Sequence, residues 1–327
     1  MTRDGSKGFS SSKSDGRYAR PVVLGWLMFL LGLLAPGWLC AQHADPERVA
    51  YFAGTGNPAL DQHVQDLLQA ELGDSVVLQP ISDDNLSSVA DAPVVALGPS
   101  AFSRVRQGNR STPILALLVE KSFLDGFQSP GQISGIYFDV PLLRQALTGK
   151  VILPHANTVS LLATPDSVFR YEPLVDELTD YGMKAKVFIV ANEEELIPSL
   201  VRALVYGDFL LATPEEEIYN PRTIKHVLLT AYRRNRIVIG PSQAYVRAGA
   251  LASSYTPFPA MARHGAQFLQ QYFRTGAFPA PAYPDAYAVE VNEQVARSLN
   301  IPVPENEYIR QSVEDALTGE GGLQSEQ

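Results

Sequence analysis

Two short stretches combine residue types that could do chemistry. Gly54-Thr55-Gly56-Asn57-Pro58-Ala59 has the G-x-G-x-x-A spacing of a dinucleotide-binding turn. In such a turn the glycines let the backbone approach a pyrophosphate, and N–H groups of the next helix hold the charge. Pro58 crowds that approach and the match stands alone, so two plainer readings compete with it. One is a tight βα turn that needs its glycines; the other is a ligand-contacting loop whose free N–H groups hold a carboxylate. Gly240-Pro241-Ser242-Gln243-Ala244 nearly matches G-x-S-x-G, the turn that raises a serine nucleophile at a strand end. Here the last glycine is alanine. Hydrolases of that kind place an acid and then a histidine after the serine, whereas His264 follows Ser242 with no acid between them. Ser242 is therefore read as a helix N-cap or a hydrogen-bond donor to a ligand, and a serine hydrolase is the remote alternative.

Other groups are more diffuse. Histidines 43, 63, 155, 226 and 264 show no metal-binding spacing, and no metal or cofactor is expected. Glu193-Glu194-Glu195 and Glu215-Glu216-Glu217 suit the first turns of helices, where the helix dipole favours negative charge. Glu217 is kept as a ligand candidate because its loop follows a strand. Tyr219, Tyr245, Tyr255 and Phe258 could sandwich a planar ligand, or simply pack in the core.

The elements that position these residues alternate between strand and helix. The sequence predicts strands at 48–53, 75–79, 93–98, 113–119 and 133–138, then at 158–163, 184–190, 209–212, 237–240 and 287–291. Between them run helical patterns, among them Pro58–Leu72, a helix opened by Pro99, and an amphipathic helix from Ala260 to Phe273. The helix after Asn220 carries Ile224, Val227, Leu228 and Ala231 on one face, with Pro221 tolerated in its first turn. This grammar is that of parallel sheets wound with helices, in which ligands sit beyond the carboxyl ends of the strands. The expected cleft is lined by 54–57, 98–100, 119–121, 138–139, 164–166, 213–220 and 241–245. Its ligand-binding candidates are Gly56, Asn57, Ser100, Thr164, Glu217, Tyr219, Asn220, Ser242 and Gln243.

Several pieces, in order, resemble one family. They are Asn57-Pro58-Ala59-Leu60-Asp61, Ile133-Ser134-Gly135-Ile136, the strand Asp208–Thr213 with its loop to Tyr219-Asn220, and Thr223-Ile224-Lys225. Ile237–Ile239 with Gly240-Pro241-Ser242, Ala248-Gly249-Ala250-Leu251, and Tyr287–Asn292 followed by Ala296 and Leu299-Asn300-Ile301 complete the set. Over roughly 45–310 the chain resembles the ABC-transporter substrate-binding proteins related to tryptophan- and tyrosine-binding lipoproteins. That resemblance implies a type I periplasmic-binding-protein fold, an α/β architecture of two Rossmann-like lobes with parallel sheets joined by three crossovers. The family's loop after the 208–213 strand is altered here by Glu215-Glu216-Glu217-Ile218.

The ends carry separate signals. Residues 1–20 are polar and basic, Pro21 to Trp38 is apolar and uncharged, and Leu39-Cys40-Ala41 offers a small residue for cleavage. Cleavage after Ala41 is the first reading of this signal peptide. An uncleaved anchor over Val22–Leu39 and lipid attachment at Cys40 stay open beside it. Cys40 is the sole cysteine among 327 residues, so a mature chain has no disulfide and no thiolate chemistry. With 46% hydrophobic and 19% charged residues the chain belongs with ordinary globular proteins. The first 41 residues hold five Lys/Arg against two Asp, so losing them deepens a net charge of −9. Nucleic-acid binding is not expected.

The organisation expected is a signal peptide over 1–41, lobe 1 over 42–138 plus 249–276, lobe 2 over 139–248 plus 277–310, and a flexible tail over 311–327. The function expected is a monomeric periplasmic solute-binding protein that captures a small polar or aromatic solute for an ABC permease. The alternative is an envelope sensor that reports ligand to a receptor partner without transport.

Overall fold

The computed structural model describes residues 48–319 apart from 83–84, 86–88, 90–91 and 128. The signal-peptide, anchor and Cys40 readings lie outside the described residues. No helix among the described residues is long and apolar enough to cross a membrane.

The first sheet holds β1 (Arg48–Ala53), β2 (Val76–Pro80), β3 (Val94–Leu97), β4 (Ile114–Val119) and β5 (Ile133–Tyr137) in the order β2-β1-β3-β4-β5, all parallel. Helix α1 (Pro58–Leu72) joins β1 to β2, and α2 (Gly98–Gly108) joins β3 to β4. A one-turn helix, α3 (Lys121–Leu124), follows β4. The sequence carries no sign of it, because four residues are too few to show a helical period.

The second lobe opens with α4 (Leu142–Ile152) and continues through β6 (Thr158–Ala163), α5 (Glu172–Glu177), β7 (Lys184–Ile189), α6 (Leu196–Tyr206) and β8 (Phe209–Leu211). It then runs through α7 (Ile224–Arg233), β9 (Ile237–Ile239), α8 (Gln243–Ala248) and β10 (Ala252–Tyr255). Its six strands lie in the order β11-β10-β9-β8-β6-β7, where β11 (Ala288–Val291) is antiparallel to β10 and the other pairs are parallel.

Strand alternation decides what each face of a sheet buries. In the second sheet Val159, Leu161, Phe209, Leu211, Ile237 and Ile239 enter one core, while Leu162, Leu210 and Val238 enter the core on the opposite face. In the first sheet Val95, Leu97, Leu115 and Leu117 pack on one side, and Val94, Ala96, Ile114 and Ala116 on the other. Both sheets are therefore covered on both faces, which is why their strands read as continuous apolar runs.

Three crossovers join the lobes: β5 to α4, β10 to α9 (Phe258–Thr275), and the return from α9 to β11. Aromatic rings tie them together. Phe138 stacks on Phe258 with centroids 5.9 Å apart and planes at 13°. Tyr137 meets Tyr283 at 4.8 Å.

The structure corrects three expectations. The chain does not return to the first lobe at Gly249. Ala252 pairs with Ile239 and Ser253 opposes Glu290, so β10 is a strand of the second sheet, and the crossing follows at Thr256-Pro257. Small residues suit any central strand, so residue type gave no hint of which sheet would take them. The stretch after α9 also stays with the first lobe for longer than expected. Phe278 N–H donates to Gly131 O at 2.8 Å and Ala282 N–H to Gly135 O at 3.0 Å, alongside β5. Finally, the tail is ordered through Thr318. Helices α10 (Glu293–Ser298) and α11 (Asn306–Thr318) close the second lobe, and α11 packs on α4 and β11 through buried Ile309 and Val313. The i, i+4 spacing of those two residues was masked by the polar residues around them.

Candidate functional site

The strand ends of both sheets supply the loops where a ligand would sit. After β1, the loop 54–56 is already occupied by the chain's own carboxylate. Asp61 Oδ1 accepts from Thr55 N–H and from the Thr55 hydroxyl, each at 2.7 Å, and its Oδ2 accepts from Gly56 N–H at 3.1 Å. A Cβ on Gly54 would collide with that carboxylate, so glycine is required there for the cradle. Asn57 caps α1, its Oδ1 accepting from Leu60 N–H at 3.3 Å. The backbone donors that resemble a dinucleotide turn thus serve Asp61, which answers the dinucleotide reading of the motif.

After β3, Pro99 and Ser100 open α2 and are exposed. After β4 the backbone is unusual: Leu118 has φ of 55°, and the register between β4 and β5 shifts between Ala116 and Val119. A left-handed non-glycine residue beside a bulge is the kind of local strain that gathers at functional sites, and bulges re-aim the side chains that follow them. Two residues on stands Glu120. Burial raises its carboxyl above the usual range, and Asp139 and then Glu216 raise it further, while the Ser122 hydroxyl opposes them. After β5 comes Asp139, whose Oδ1 accepts from Lys121 N–H at 2.9 Å and whose Oδ2 accepts from the Tyr283 hydroxyl at 3.3 Å. Burial again raises its carboxyl, against the pull of those hydrogen bonds and of Lys121.

From the second lobe, Thr164 closes a turn with Ser167; Ser167 Oγ accepts from Thr164 N–H at 3.0 Å. The loop after β8 turns on Asn220. Its Oδ1 accepts from Arg222 N–H at 3.0 Å and Thr223 N–H at 3.3 Å, and its Nδ2 donates to Glu216 O at 3.0 Å. Pro221 therefore sits in this turn, before α7 begins at Ile224, not within the helix. Within the acidic run, Glu215 accepts from the Tyr171 hydroxyl, while Glu216 and Glu217 are exposed, the charge of Glu216 being felt at Glu120. Tyr219 is buried among Leu162, Val190 and Ile218, so its ring packs in the core. Its carbonyl accepts from the Tyr245 hydroxyl at 2.9 Å.

After β9, Gly240 lets α8 come close, since a Cβ there would lie 2.5 Å from Tyr245 Cβ. Ser242 sits at the N-cap position of α8 without bonding the helix through its side chain, and Gln243 Nε2 donates to Glu290 Oε2 at 2.6 Å. His264 lies on α9, which packs against α1, β4 and β5 of the first lobe, with its ring against Phe268. Ser242 and His264 therefore belong to different lobes, and the serine elbow lacks its base.

The two lobes face one another across these loops. Glu120 of the first lobe is raised by Glu216 of the second, and burial, Glu120 and Glu216 together raise the Tyr245 hydroxyl. The sequence had marked 119–121 and 138–139 as cleft segments without singling out Glu120 or Asp139. Their signal was their place, immediately after the apolar runs of two adjacent strands.

A second concavity of about 410 Å³ opens beside the edge strand β11, lined by Val291, Arg297, Ile301 and Pro304 among others. It draws on one lobe only, and none of the strand-end loops described above reaches it.

No protein-family profile matches the sequence, and neither does a curated protein. Solved structures do. A ligand-free, open substrate binding protein with adhesive properties from Clostridium difficile is 16% identical over 80% of this chain and 97% of that one, with a TM-score of 0.64. An ABC domain from Streptococcus pneumonia in complex with L-Trp is 14% identical over 81% of this chain and 98% of that one, with a TM-score of 0.54. A conserved domain protein from Vibrio cholerae is 17% identical over 81% and 98% respectively, with a TM-score of 0.55. At this level of identity the likeness is one of architecture, and the chain has the type I periplasmic-binding-protein fold, two α/β lobes joined by three crossovers.

Proposed function

We propose that the protein is a non-enzymatic, monomeric binding protein of the periplasm that closes its two lobes on a small polar or aromatic solute and delivers it to an ABC permease. The feature that carries this reading is the two-lobed fold, with strand-end loops of both sheets near enough that the charge of Glu216 is felt at Glu120 and that of Glu120 at Tyr245. A ligand placed there would touch both lobes, and its contacts would favour the closed arrangement. The binding of L-Trp by a protein of the same fold supports a solute of about that size.

Among the residues expected to bind, Ser100 and Glu217 are exposed and Ser242 makes no side-chain bond to its helix, which leaves them available to a solute, whereas Asn57 and Asn220 hold their own loops. A serine hydrolase is disfavoured by the separation of Ser242 from His264.

Ligand-dependent thermal unfolding tests the reading. A true binder gains about 2.7 kcal/mol at a hundredfold excess of solute over its dissociation constant. Ester turnover that Ser242→Ala abolishes would overturn it.

A further inference from the structure

We propose that the amino end of the second sheet, where its parallel strands begin, is a docking surface for the anionic phospholipid face of a membrane. It lies at the opposite end of the strands from the loops described above. It goes beyond the binding reading and does not depend on it.

Strand register lays the surface out. Thr158 pairs with Lys184 and Val159 with Phe209, which pairs in turn with Ile237. Lys184, Asp208 and Arg236 therefore stand in a row across the starts of β7, β8 and β9. The helices that lead into these strands end at the same place. Arg236 Nε donates to Leu204 O at 3.0 Å, which ties the start of β9 to the last turn of α6. Lys186 Nζ lies 5.6 Å from the centre of the Tyr206 ring, which ties β7 to that turn. At the end of α4, Lys150 Nζ donates to Ala156 O at 2.8 Å, just before β6.

The charge here runs against that of the whole chain. The net charge is −9, yet Lys150, Lys184, Lys186, Arg233, Arg234 and Arg236 gather at this end. Of the acids beside them, Asp208 is engaged: its Oδ2 accepts from Asn157 N–H at 2.8 Å, Thr158 N–H at 2.9 Å and the Thr158 hydroxyl at 2.8 Å. Asp180, before β7, is exposed. Toward β11 the end turns acidic, with Glu293 and Glu305 lining the concavity there, so the basic surface is confined to the side of β6 to β9.

Ordinary structural duties account for part of this charge. Cations suit helix C-termini, as Arg236 shows on α6, and lysines blunt an edge strand such as β7. Arg233 and Arg234 do neither duty by contact. Both are exposed, and neither side chain joins a hydrogen bond or ion pair among the described residues. Large apolar groups are left uncovered beside them. Val205, in the last turn of α6, is 70% exposed, Tyr232 is 43% exposed, and Leu229, one turn earlier on α7, is 46% exposed.

Free guanidinium groups beside an exposed tyrosine and aliphatic side chains match the boundary layer of a membrane. Phosphate oxygens take a guanidinium in paired hydrogen bonds, while the ring and the aliphatic tips enter the headgroup layer. The cations are also spread in two dimensions, because α4 covers one face of the sheet and α6 and α7 cover the other. A plane of headgroups can meet all of them at once, whereas an acidic peptide follows a line. An acidic chain is repelled from an anionic surface unless it presents its basic end, so the same asymmetry that allows contact also orients it.

The test is co-sedimentation of the exported protein, recovered in soluble form, with vesicles of phosphatidylcholine alone or mixed in equal parts with phosphatidylglycerol. The expected result is binding to the mixed vesicles that falls at least about tenfold when Arg233→Glu and Arg234→Glu are combined, and that weakens with added salt. Arg233→Gln with Arg234→Gln should weaken it less, and melting curves check that both variants fold. Val205→Ser should weaken binding at unchanged charge. Arg274→Glu, on the other lobe, should leave it unchanged. Equal binding to both vesicle types, no binding to either, or an equal loss in Arg274→Glu overturns the proposal. Binding of poly-L-glutamate or duplex DNA without binding of the mixed vesicles overturns the lipid in favour of an acidic protein or a nucleic acid.

Discussion

Gln145 and the backbone of Ser254 form a closed pair: Gln145 Nε2 donates to Ser254 O at 2.6 Å, and Gln145 Oε1 accepts from Ser254 N–H at 2.8 Å. Gln145 is fully buried on α4, and Ser254 lies on β10 just before the crossover to α9. One amide side chain thus completes the backbone bonding of a strand at the edge of the hinge. Gln145→Leu keeps the volume but strands a buried donor and acceptor. We expect a loss of about 3 kcal/mol in urea unfolding, since each unsatisfied group costs about 1–3 kcal/mol.

Asn220 and Ser242 should separate cleanly. Asn220 closes the loop before α7 with four side-chain hydrogen bonds, so Asn220→Ala should lower apo stability by about 1 kcal/mol. Ser242 makes no side-chain bond to its helix, so Ser242→Ala should leave apo stability within about 0.5 kcal/mol and weaken solute binding instead. Urea unfolding with and without solute reads both effects. A Ser242→Ala protein that loses stability and keeps its affinity would reverse the assignment.

Asp61 holds the loop 54–56, so Asp61→Ala should cost about 1–2 kcal/mol, because three donors lose a charged acceptor at a helix start. Asp61→Asn should recover part of this, since its amide oxygen still accepts. Thermal unfolding of the two variants distinguishes loss of charge from loss of the cradle.

Glu120 predicts a pH dependence with a definite sign. Burial, Asp139 and Glu216 hold the Glu120 carboxyl above its ordinary value of 4.5 in the folded protein. A raised carboxyl contributes stability that is complete below that value and lost as pH rises through the folded one. Glu120→Gln removes the charge, so the apo variant should melt higher than the parent at neutral pH. The gain should be under about 1 kcal/mol after solvent screening and should fade as pH falls toward 4.5. Melting curves across that range test it; a gain that grows on acidification would contradict the stated cause.

Most of the fold was legible because buried parallel strands write themselves as short apolar runs. Arg48–Ala53, Pro58–Leu72 and Thr158–Ala163 begin and end in the structure where their patterns do. Pairing was less legible. Nothing in Ala252-Ser253-Ser254-Tyr255 says which sheet it joins, because the choice is made by Ile239 and Glu290, far away in the chain. The same limit applies to the site. Loops at strand ends could be named from order alone, but the approach of Glu216 to Glu120 depends on how two lobes meet. Asn57 and Asn220, expected to contact a ligand, bond their own loops in the structure, a commitment set by local turns that periodicity does not encode.

The late arrival of α9 has a consequence in time. Its buried face, with Met261, Ala262 and Leu269, completes the core that α1 begins through Val64 and Leu68, nearly two hundred residues earlier. A chain that emerges from its N-terminus must therefore finish nearly the whole second sheet before the first lobe can close. Until then the first sheet presents an uncovered apolar face and a strand edge at β5, the features that invite aggregation. A chain cut after β10 should be the most aggregation-prone of a truncation series, and holding factors should matter most in that interval of synthesis.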